Sequence, residues 1–486
     1  MTAAPRGTPR PLVIAANRLP VMRAADDSWT PSPGGLVRAL LPMLRAAGGA
    51  WVGWTGVVDD DAEPFTLDGV ELHPVKLSRS EYDDYYEGFS NDSLWPLYHD
   101  AVRESTFKTQ QWDAYVAVNE RFAERLAEVA PPDAVIWVHD YQLQLVPKMV
   151  RELRPDATIG FFLHVPFPPW ELFARLPWRT EIIEGLLGAD LVGFQRLMGA
   201  ENFAHIAQRL GLLADPTAGE ITVAEPNQPT VLATADGGHV EVGAFPISID
   251  VEEFSELAAE RNVRRASATV RSRLGNPEVV LLCVDRLDYT KGIGARMRAF
   301  RSLLDDGTLD AERCVMIQVA TPTREAVEHY QDERHEIERL VGEINGLHAR
   351  IGQPVLHYLY RSLSLEDLVA LYLAGDVMLV TPLRDGMNLV AKEFVASRRD
   401  VNGVLVLSEF AGAADQLTDA VLVNPHDEDA MRAAIVHAIE MNHTERTRRM
   451  AALRDAVARS DVRSWAERFL EDLAGAAPDV SGRKTP

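Results

Sequence analysis

At 486 residues, the chain is too long for one compact core, and its length favours two or three domains, about two of them large. Hydrophobic residues make up 47% of the sequence and charged residues 25%, which is typical of a soluble globular protein. The net charge of -23 argues against nucleic acid, an anionic membrane surface or another polyanion as the main partner. A small phosphorylated ligand is still compatible with this charge, because one pocket can be basic on an acidic protein.

The cysteines and the lack of a long apolar run predict a cytoplasmic protein. Cys283 and Cys314 both lie in apolar, strand-like runs, where buried and reduced thiols are expected. No run approaches the roughly 18 apolar residues of a membrane span. The stretch "PLVIAA" is too short for a signal peptide and reads as the first strand. The polar, Pro-rich ends, residues 1–11 and 476–486, are predicted to be disordered.

Short apolar runs rich in β-branched residues are spread over both halves of the chain, and most are followed by a helical pattern. Their hydrophobicity is continuous rather than alternating, which is typical of parallel strands covered by helices on both faces. We therefore predict an α/β fold with doubly wound, Rossmann-like architecture in both halves. The runs begin at residues 12, 134, 158, 190, 279, 314, 355, 376 and 403.

A Pro-containing extended segment, residues 242–250, marks the predicted boundary between two domains. The first domain is expected to span 12–245 and the second 246–455. A helical segment at 456–475 can pack on either domain, and in one arrangement it crosses back to the first. Residues 215–242 indicate a strand and hairpin insertion. Two doubly wound domains facing a central cleft would direct the carboxyl ends of both sheets at one ligand site.

The stretch "VDRLDYTKG" places two cations, Arg286 and Lys291, at the carboxyl end of a predicted strand. A predicted helix follows, so the two cations and the helix N-terminus could clamp a diphosphate. Alternatively, the cations pair with Asp285 and Asp288 in a solvated loop. The local pattern does not decide between these interpretations.

The stretch "TPLRDGMNLVAKE" has the same organisation, with Asp385 and Gly386 between a predicted strand and a predicted helix. Gly386 permits backbone conformations that other residues resist, and the free amides of the first helical turn can hold an anion. Glu393 lies about two turns into the helix, where its carboxylate could accept hydrogen bonds from ribose hydroxyls. Alternatively, Asp385 caps the helix, and Lys392 and Glu393 are ordinary surface charges.

Strand ends in the first half carry further ionisable groups, namely Arg18, Asp140 and His164. A single histidine at a strand end is more often structural than catalytic, but ionisable groups at several strand ends favour a functional site. Gly34 and Gly35 open a predicted helix. A glycine pair there permits close approach of a ligand, and a plain turn explains it equally well.

The segment "YYEGFSNDSLWPLYH", residues 85–99, concentrates aromatic side chains, including Tyr86 and Trp95, in a polar, loop-like context. Aromatic faces beside amides and hydroxyls suit a sugar ring, whereas a small buried core is the usual explanation of such clusters. Arg324 adds one more cation after a predicted strand of the second half.

Several catalytic motifs do not occur in the sequence, among them the nucleotide-binding G-x-x-x-x-G-K-[ST], the metal-binding H-E-x-x-H and the nucleophile motif G-x-S-x-G. The stretch "LLDDGTLD" resembles a phosphatase signature, but Leu304 takes the place of its nucleophilic aspartate. A nicotinamide dehydrogenase would need G-x-G-x-x-G after a strand, and this pattern is also missing.

The segments "ANRLP…GG", "YYEGFSN…LWPLYH", "WVHDYQL", "GFFLHVPFP", "VDRLDYTKG" and "VTPLRDGMNLVAKE" form one set. In order and spacing they resemble those of the trehalose-6-phosphate synthases, retaining glycosyltransferases with the two-domain GT-B fold. The resemblance runs from about Leu12 to Gly475. It implies transfer of glucose from a nucleoside diphosphate-glucose to the anomeric hydroxyl of glucose 6-phosphate, which gives an α,α-1,1 linkage.

The resemblance also implies roles for the matching residues. Glucose 6-phosphate would be held by Arg18, Tyr86, Trp95, Asp140 and Arg324, with the two arginines on its phosphate. The residues implied as catalytic are Arg286, Lys291, His164 and Asp385. The donor would be contacted by Gly34, Gly35, His164, Arg286, Lys291, Leu363, Asp385, Gly386, Met387, Asn388, Leu389, Val390, Ala391, Lys392 and Glu393.

The expected chemistry follows from the leaving group. A glycosidase needs two carboxylates because its leaving group must be protonated. A nucleoside diphosphate already leaves easily, so the site needs positive charge where negative charge develops. We expect substitution on the same face through an oxocarbenium-like state, with the departing phosphate oxygen taking the acceptor's proton. No metal and no cofactor are expected.

Some alternatives stay open. The donor base can be that of ADP-, GDP- or UDP-glucose, since Leu363 offers the base only a backbone contact. Rival functions are a pseudo-glycosyltransferase that joins cyclitols and an inactive sugar-phosphate sensor. The resemblance further implies a homo-oligomer, either a dimer or a tetramer. It also implies a separate phosphatase that releases trehalose, because no phosphatase domain is recognised in the sequence.

Overall fold

The computed structural model describes residues 10–23, 28–32, 37, 40–41, 43–45, 48–100, 102–215, 221–223, 225–324 and 327–476. The chain divides into two compact units. The first unit comprises Met1–Ile247 together with Arg463–Pro486, and the second comprises Ser248–Val462.

The first unit is built on a nine-stranded sheet in the part of the chain that the structure describes. The strands of this unit are β1 Leu12–Arg18, β2 Val21–Arg23, β3 Trp29–Pro31, β4 Ala50–Trp54, β5 Phe65–Leu67, β6 Val70–Pro74, β7 Val135–His139, β8 Thr158–Phe162, β9 Leu191–Phe194, β10 Thr230–Ala233 and β11 His239–Ala244. The strand order in the sheet is β10-β11-β9-β8-β7-β1-β4-β6-β5, and neighbours are parallel except at the two edge pairs, β5 with β6 and β10 with β11. A short antiparallel ribbon of β2 and β3 lies outside this sheet.

The central strands β4, β7 and β8 are buried along their whole length, as expected where helices cover both faces of a parallel sheet. The described helices of the first unit are Arg79–Glu81, the π-helix Tyr82–Leu94, Trp95–Tyr98, Thr109–Val129, the 3-10 turn Tyr141–Leu143, Val146–Leu153, Trp170–Phe173, Arg179–Leu187, Leu197–Arg209 and Val462–Ala476.

The helix Val462–Ala476 packs on the first unit through aromatic side chains. The ring of Phe469 stacks on Trp137 with centroids 4.5 Å apart, and Trp465 donates from Nε1 to the carbonyl of Phe245 at 3.1 Å. Two strands leave room for it, because a Cβ at Gly160 or Gly193 would lie 2.8 or 2.7 Å from the Phe469 ring. The glycines of "TIGFF" and "LVGF" therefore allow the helix to lie close to the sheet.

The segment predicted to be loop-like around Tyr86 is helical, which corrects that expectation. Its residues form the π-helix Tyr82–Leu94, which is followed directly by the helix Trp95–Tyr98. Tyr85, Phe89 and Leu94 are fully buried on one side of it. The polar composition of the segment is misleading because its serines and Asn91 are buried as well.

The second unit contains a six-stranded parallel sheet among its described residues, with strands β12 Val279–Arg286, β13 Cys314–Thr321, β14 Leu356–Tyr360, β15 Val377–Val380, β16 Val404–Ser408 and β17 Val421–Val423. The strand order is β14-β13-β12-β15-β16-β17. Its described helices are Val251–Ala259, Arg261–Arg273, the 3-10 turn Tyr289–Lys291, Ile293–Asp305, Glu328–His348, Leu365–Ala374, Leu389–Ser397, the 3-10 turn Gly412–Asp415, Glu428–Glu440 and His443–Ala458.

The predicted fold class is confirmed, since strands occur at each of the apolar runs and both sheets are mainly parallel. Both cysteines are buried free thiols. Among the described helices, none combines the length and the apolar character needed to cross a membrane. The predicted disordered ends overlap residues 1–9 and 477–486, which lie outside the described residues.

Candidate active site

In the first unit, Arg18 lies at the carboxyl end of β1 and is exposed. Its guanidinium carbon is 4.8 Å from the centre of the Trp54 ring, an arrangement in which the ring face attracts the cation. Gly56, at φ 90°, gives this side chain its space, because a Cβ there would lie 1.9 Å from an Arg18 Nη atom. Arg18 is thus held at the strand end by an aromatic face and a glycine turn.

Tyr86 belongs to the same aromatic group. Its ring centroid lies 5.8 Å from that of Trp54 and 5.5 Å from that of Tyr82. The neighbouring Tyr85 points the other way and donates to Asn17 Oδ1 at 2.9 Å, which ties the π-helix to the end of β1. The structure therefore brings the predicted residues Arg18 and Tyr86 together around Trp54.

Asp140 directly follows β7 with a positive φ of 76°. Its amide donates to the carbonyl of Phe162 at 2.8 Å, and its carboxylate accepts from the backbone amide of His164 at 3.2 Å. A non-glycine residue in this backbone region is uncommon and marks a constrained position. The two predicted residues Asp140 and His164 are thus joined by a direct hydrogen bond.

His164 lies partly buried beside His139, the last residue of β7. Burial lowers the pKa of His164 to about 3, so its imidazole is neutral near pH 7.

Trp95 is buried, with 4% of its surface exposed, and packs on His99 and Tyr141. Gly34 and Gly35, both predicted donor contacts, lie outside the described residues.

In the second unit, three cations surround Asp288, which is fully buried in the turn after β12. Burial by itself raises the pKa of this carboxyl, but the charges of Arg324, Arg286 and Lys291 outweigh burial and hold it well below its usual range. Arg324 lies 3.3 Å from Asp288 and also bonds to the hydroxyl of Tyr330. The carboxyl ends of β12 and β13 therefore carry a concentration of positive charge.

Lys291 pairs with Asp385, which follows β15, at 2.6 Å, and both side chains are largely buried. This ion pair contradicts the alternative in which Lys291 pairs with Asp285 or Asp288 in a solvated loop, although the charges of Arg286 and Lys291 still act on the buried Asp288. Asp285 is buried and pairs instead with Arg296 at 2.8 Å.

Arg296 fixes the turn that follows β12 through hydrogen bonds to backbone carbonyls. It is fully buried, and it donates to the carbonyl of Leu379 at 3.0 Å and to the carbonyl of Lys291. Gly292, at φ 64°, follows Lys291, and a Cβ there would lie 2.4 Å from the carbonyl of Thr381. The backbone of Lys291 is thus fixed between two strands of the sheet.

The helix Leu389–Ser397 begins at Asn388, whose φ is 74° and whose side chain accepts from the amide of Ala391 at 3.3 Å. Asn388 also donates to Asp385 at 3.1 Å. The cap is therefore Asn388, and the alternative that Asp385 caps the helix is wrong. Gly386 and Met387, between Asp385 and Asn388, are buried.

Lys392 and Glu393 are not ordinary surface charges. Lys392 is 1% exposed, and burial lowers its pKa to about 7. Glu393 is half-buried and accepts from the hydroxyl of Tyr372 at 2.7 Å. Leu363, the predicted contact to the base, lies half-buried after β14. Leu389, Val390 and Ala391 form the first turn of the helix.

The residue-by-residue interpretation missed the partners that hold these side chains in place, chiefly His139, Arg296, Tyr330 and Tyr372. Each of them is polar within an apolar run or helical pattern, which is the signal that could have found them. Within the described ranges, no group of three or more His, Cys, Asp or Glu side chains is arranged to hold a metal ion.

Comparisons with known proteins identify the family of the chain. The model of "Glycosyltransferase family 20" matches residues 10–475. The trehalose-6-phosphate synthase of Mycobacterium bovis is 53% identical over 482 residues, which cover 97% of this chain and 96% of that protein.

Two crystal structures of Burkholderia proteins are also similar. An α,α-trehalose-phosphate synthase (UDP-forming) from Burkholderia vietnamiensis is 36% identical, with a TM-score of 0.89 and coverage of 98% of this chain and 99% of that one. One from Burkholderia xenovorans, in complex with glucose-6-phosphate, is 34% identical, with a TM-score of 0.86 and coverage of 96% and 100%. The chain belongs to glycosyltransferase family 20.

Proposed function

We propose that the chain is a trehalose-6-phosphate synthase that transfers glucose from a nucleoside diphosphate-glucose to glucose 6-phosphate. The observation that carries this proposal is the cluster of Arg286, Lys291 and Arg324 around the buried carboxylate of Asp288. The three cations are thus concentrated at the carboxyl ends of β12 and β13, although the chain as a whole has a net charge of -23. A diphosphate is the kind of ligand that such a cluster stabilises.

The second unit is proposed to hold the donor. Arg286 and Lys291 take the diphosphate, the first-turn amides from Leu389 to Lys392 lie at the phosphates, and Glu393 takes the ribose. Two features support these contacts. The helix begins at Asn388, which has a left-handed backbone conformation, and a helix N-terminus is a common binding site for phosphate. The hydroxyl of Tyr372 donates to the Glu393 carboxylate and orients it.

The first unit is proposed to hold the sugar of the acceptor. Arg18, Tyr86 and Asp140 lie at strand ends or on aromatic faces, and the side chain of Trp95 lies in the same aromatic group as Tyr141. Arg18 and Arg324 are proposed to bind the acceptor's phosphate. The relative from Burkholderia xenovorans was crystallised with glucose-6-phosphate, which supports this acceptor.

The reaction is proposed to retain the configuration of the transferred glucose. The diphosphate leaves as an oxocarbenium-like sugar forms, and Arg286 and Lys291 stabilise the negative charge on the departing oxygen. That oxygen takes the proton of the acceptor hydroxyl, which then attacks the same face. His164 and Asp385 are proposed to contact the transferred glucose, and the pairing of Asp385 with Lys291 would place the sugar next to the diphosphate.

The test is incubation with glucose 6-phosphate and ADP-, GDP- or UDP-glucose, followed by measurement of nucleoside diphosphate release and of the disaccharide phosphate. We expect UDP-glucose to serve, because the relative from Burkholderia vietnamiensis is UDP-forming. Anomeric coupling constants in the product's proton NMR spectrum would report an α,α linkage. Binding without turnover of any donor would favour a sugar-phosphate sensor, and turnover only with cyclitols would favour a pseudo-glycosyltransferase.

The product keeps its phosphate, so release of free trehalose would need a separate phosphatase activity.

We further propose that the protein is a cytoplasmic homo-oligomer, dimeric or tetrameric. Light scattering of the purified protein would measure its mass. A monomer at all concentrations would contradict this part of the proposal.

A further inference from the structure

Two histidines meet at the carboxyl ends of β7 and β8. His139 is the last residue of β7 and pairs in register with Phe162, the last residue of β8. The chain then brings His164 back so that its Nε2 lies 3.2 Å from Nδ1 of His139, with the rings inclined by 28°. The two imidazoles therefore share one hydrogen bond.

Among the described residues, the side chain of His139 has one hydrogen-bond partner, His164. Its side chain is fully buried and packs on the ring of Trp137 at 4.7 Å between centroids. Its Nε2 is buried and has no hydrogen-bond partner among the described residues. Burial lowers the pKa of both imidazoles, so each ring carries a single N–H near pH 7.

Two arrangements of the protons satisfy the shared bond. In the first, His139 donates from Nδ1 to Nε2 of His164, whose own proton is then on Nδ1. In the second, His164 donates from Nε2, and the proton of His139 is left on Nε2, where no described residue accepts it. The first is favoured, because a buried N–H without an acceptor is rarer than an acceptor without a donor.

We propose that His139 is a positioning residue that holds His164 in the tautomer with its proton on Nδ1, so that His164 offers an N–H to a sugar hydroxyl. His164 is partly exposed as a residue, and no described residue bonds its Nδ1. The backbone of His164 is fixed independently, since its amide donates to Asp140. The substrate side of this inference rests on the proposed function; the tautomer does not.

The tautomer can be measured directly on the whole protein labelled with ¹⁵N-histidine, by long-range proton–nitrogen NMR, with a His164→Gln variant to assign the signals. We expect a protonated Nδ1 and a bare Nε2 in His164. In His139→Asn the amide nitrogen can replace Nδ1 as a donor, so the same tautomer is expected. In His139→Gln the amide lies toward the Nε2 position, and in His139→Leu there is no donor, so the preference should be lost.

Turnover gives the second readout. The Gln and Leu variants should lose about tenfold to a hundredfold in kcat, by analogy with the loss when residues that orient a metal-ligating histidine are replaced. KM for glucose 6-phosphate should change little. His139→Asn should recover most of the loss. A wild-type His164 protonated on Nε2, or an unchanged tautomer in the Gln variant, would overturn the proposal. Absence of transferase activity in the wild type would overturn the proposed function instead, and the NMR result would still decide the tautomer.

Discussion

The Nζ atom of Lys291 lies 2.6 Å from Oδ2 of Asp385, across 94 positions of sequence. The pair joins the turn after β12 to the junction before the helix Leu389–Ser397, and Asn388 donates to the same carboxylate. Lys291 is proposed to contact the diphosphate and Asp385 the transferred glucose, so a shift of either side chain would move the other.

Replacing Asp385 with asparagine should destabilise the protein by about 3 kcal/mol, because a largely buried ammonium loses its counter-charge. Urea unfolding measures the change. The Lys291→Met/Asp385→Asn double variant should recover part of the loss, since the unpaired charge is removed as well. The matched control is Asp61→Asn, which breaks the exposed pair with Lys76 and should not change the unfolding midpoint measurably. Equal effects at the two sites would show that the buried pair has no special role.

Replacing Arg286 with alanine should lower turnover at least about 100-fold, because a positive charge that stabilises the leaving diphosphate is lost. The fold should persist, since Arg286 is exposed at the end of β12. Steady-state release of nucleoside diphosphate is the measurement. Arg298→Ala is the control, since Arg298 is a half-exposed arginine on the next helix with one distant ion pair at 3.9 Å to Glu336. Near-normal turnover in Arg286→Ala would remove the diphosphate assignment.

The nine strands at the predicted apolar runs could be found from the sequence because each is a continuous run of apolar residues, a pattern that depends only on local sequence. The strand β4, which neighbours β1, was not identified, since its run "AWVGW" contains a glycine that weakens the pattern. The structure shows why Gly53 stands there, as a Cβ would lie 2.7 Å from the backbone of Arg18 and Leu19.

The partners of the charged residues could not be predicted in the same way. Asp285 and Asp288 are nearest to Lys291 in the sequence, yet Asp285 pairs with Arg296, Asp288 with Arg324, and Lys291 with Asp385. These choices depend on which strands are neighbours in the sheet, and β12 lies between β13 and β15. Pairing therefore follows from topology, which local patterns do not contain.

The stability of the protein should carry a pH dependence from Lys392. Burial lowers the pKa of its ammonium from 10.5 to about 7, so between these values the unfolded chain holds a proton that the native protein has lost. The free energy of unfolding should therefore rise with pH across this window, by at most about 1.4 kcal/mol per pH unit. Below pH 7 both states hold the proton, so Lys392 should contribute no pH dependence there. Urea unfolding at pH 7, 8 and 9 should show a slope that is smaller in Lys392→Met. Parallel curves for the two proteins would contradict the lowered pKa.

The position of Arg18 depends on Gly56. This glycine has a φ of 90°, and a Cβ there would lie 1.9 Å from an Arg18 Nη atom, so Gly56→Ala should push the guanidinium off the Trp54 ring. We expect KM for glucose 6-phosphate to rise about tenfold, the equivalent of about 1.4 kcal/mol of binding, with a smaller effect on kcat.

Gly69→Ala is the matched control: its φ is 81°, but nothing lies within 4 Å of the added Cβ. Both variants should lose about 1 kcal/mol or more of stability to backbone strain, since alanine resists a positive φ. Only Gly56→Ala should change KM, and an equal rise in both variants would mean that general strain, rather than the displacement of Arg18, controls acceptor binding.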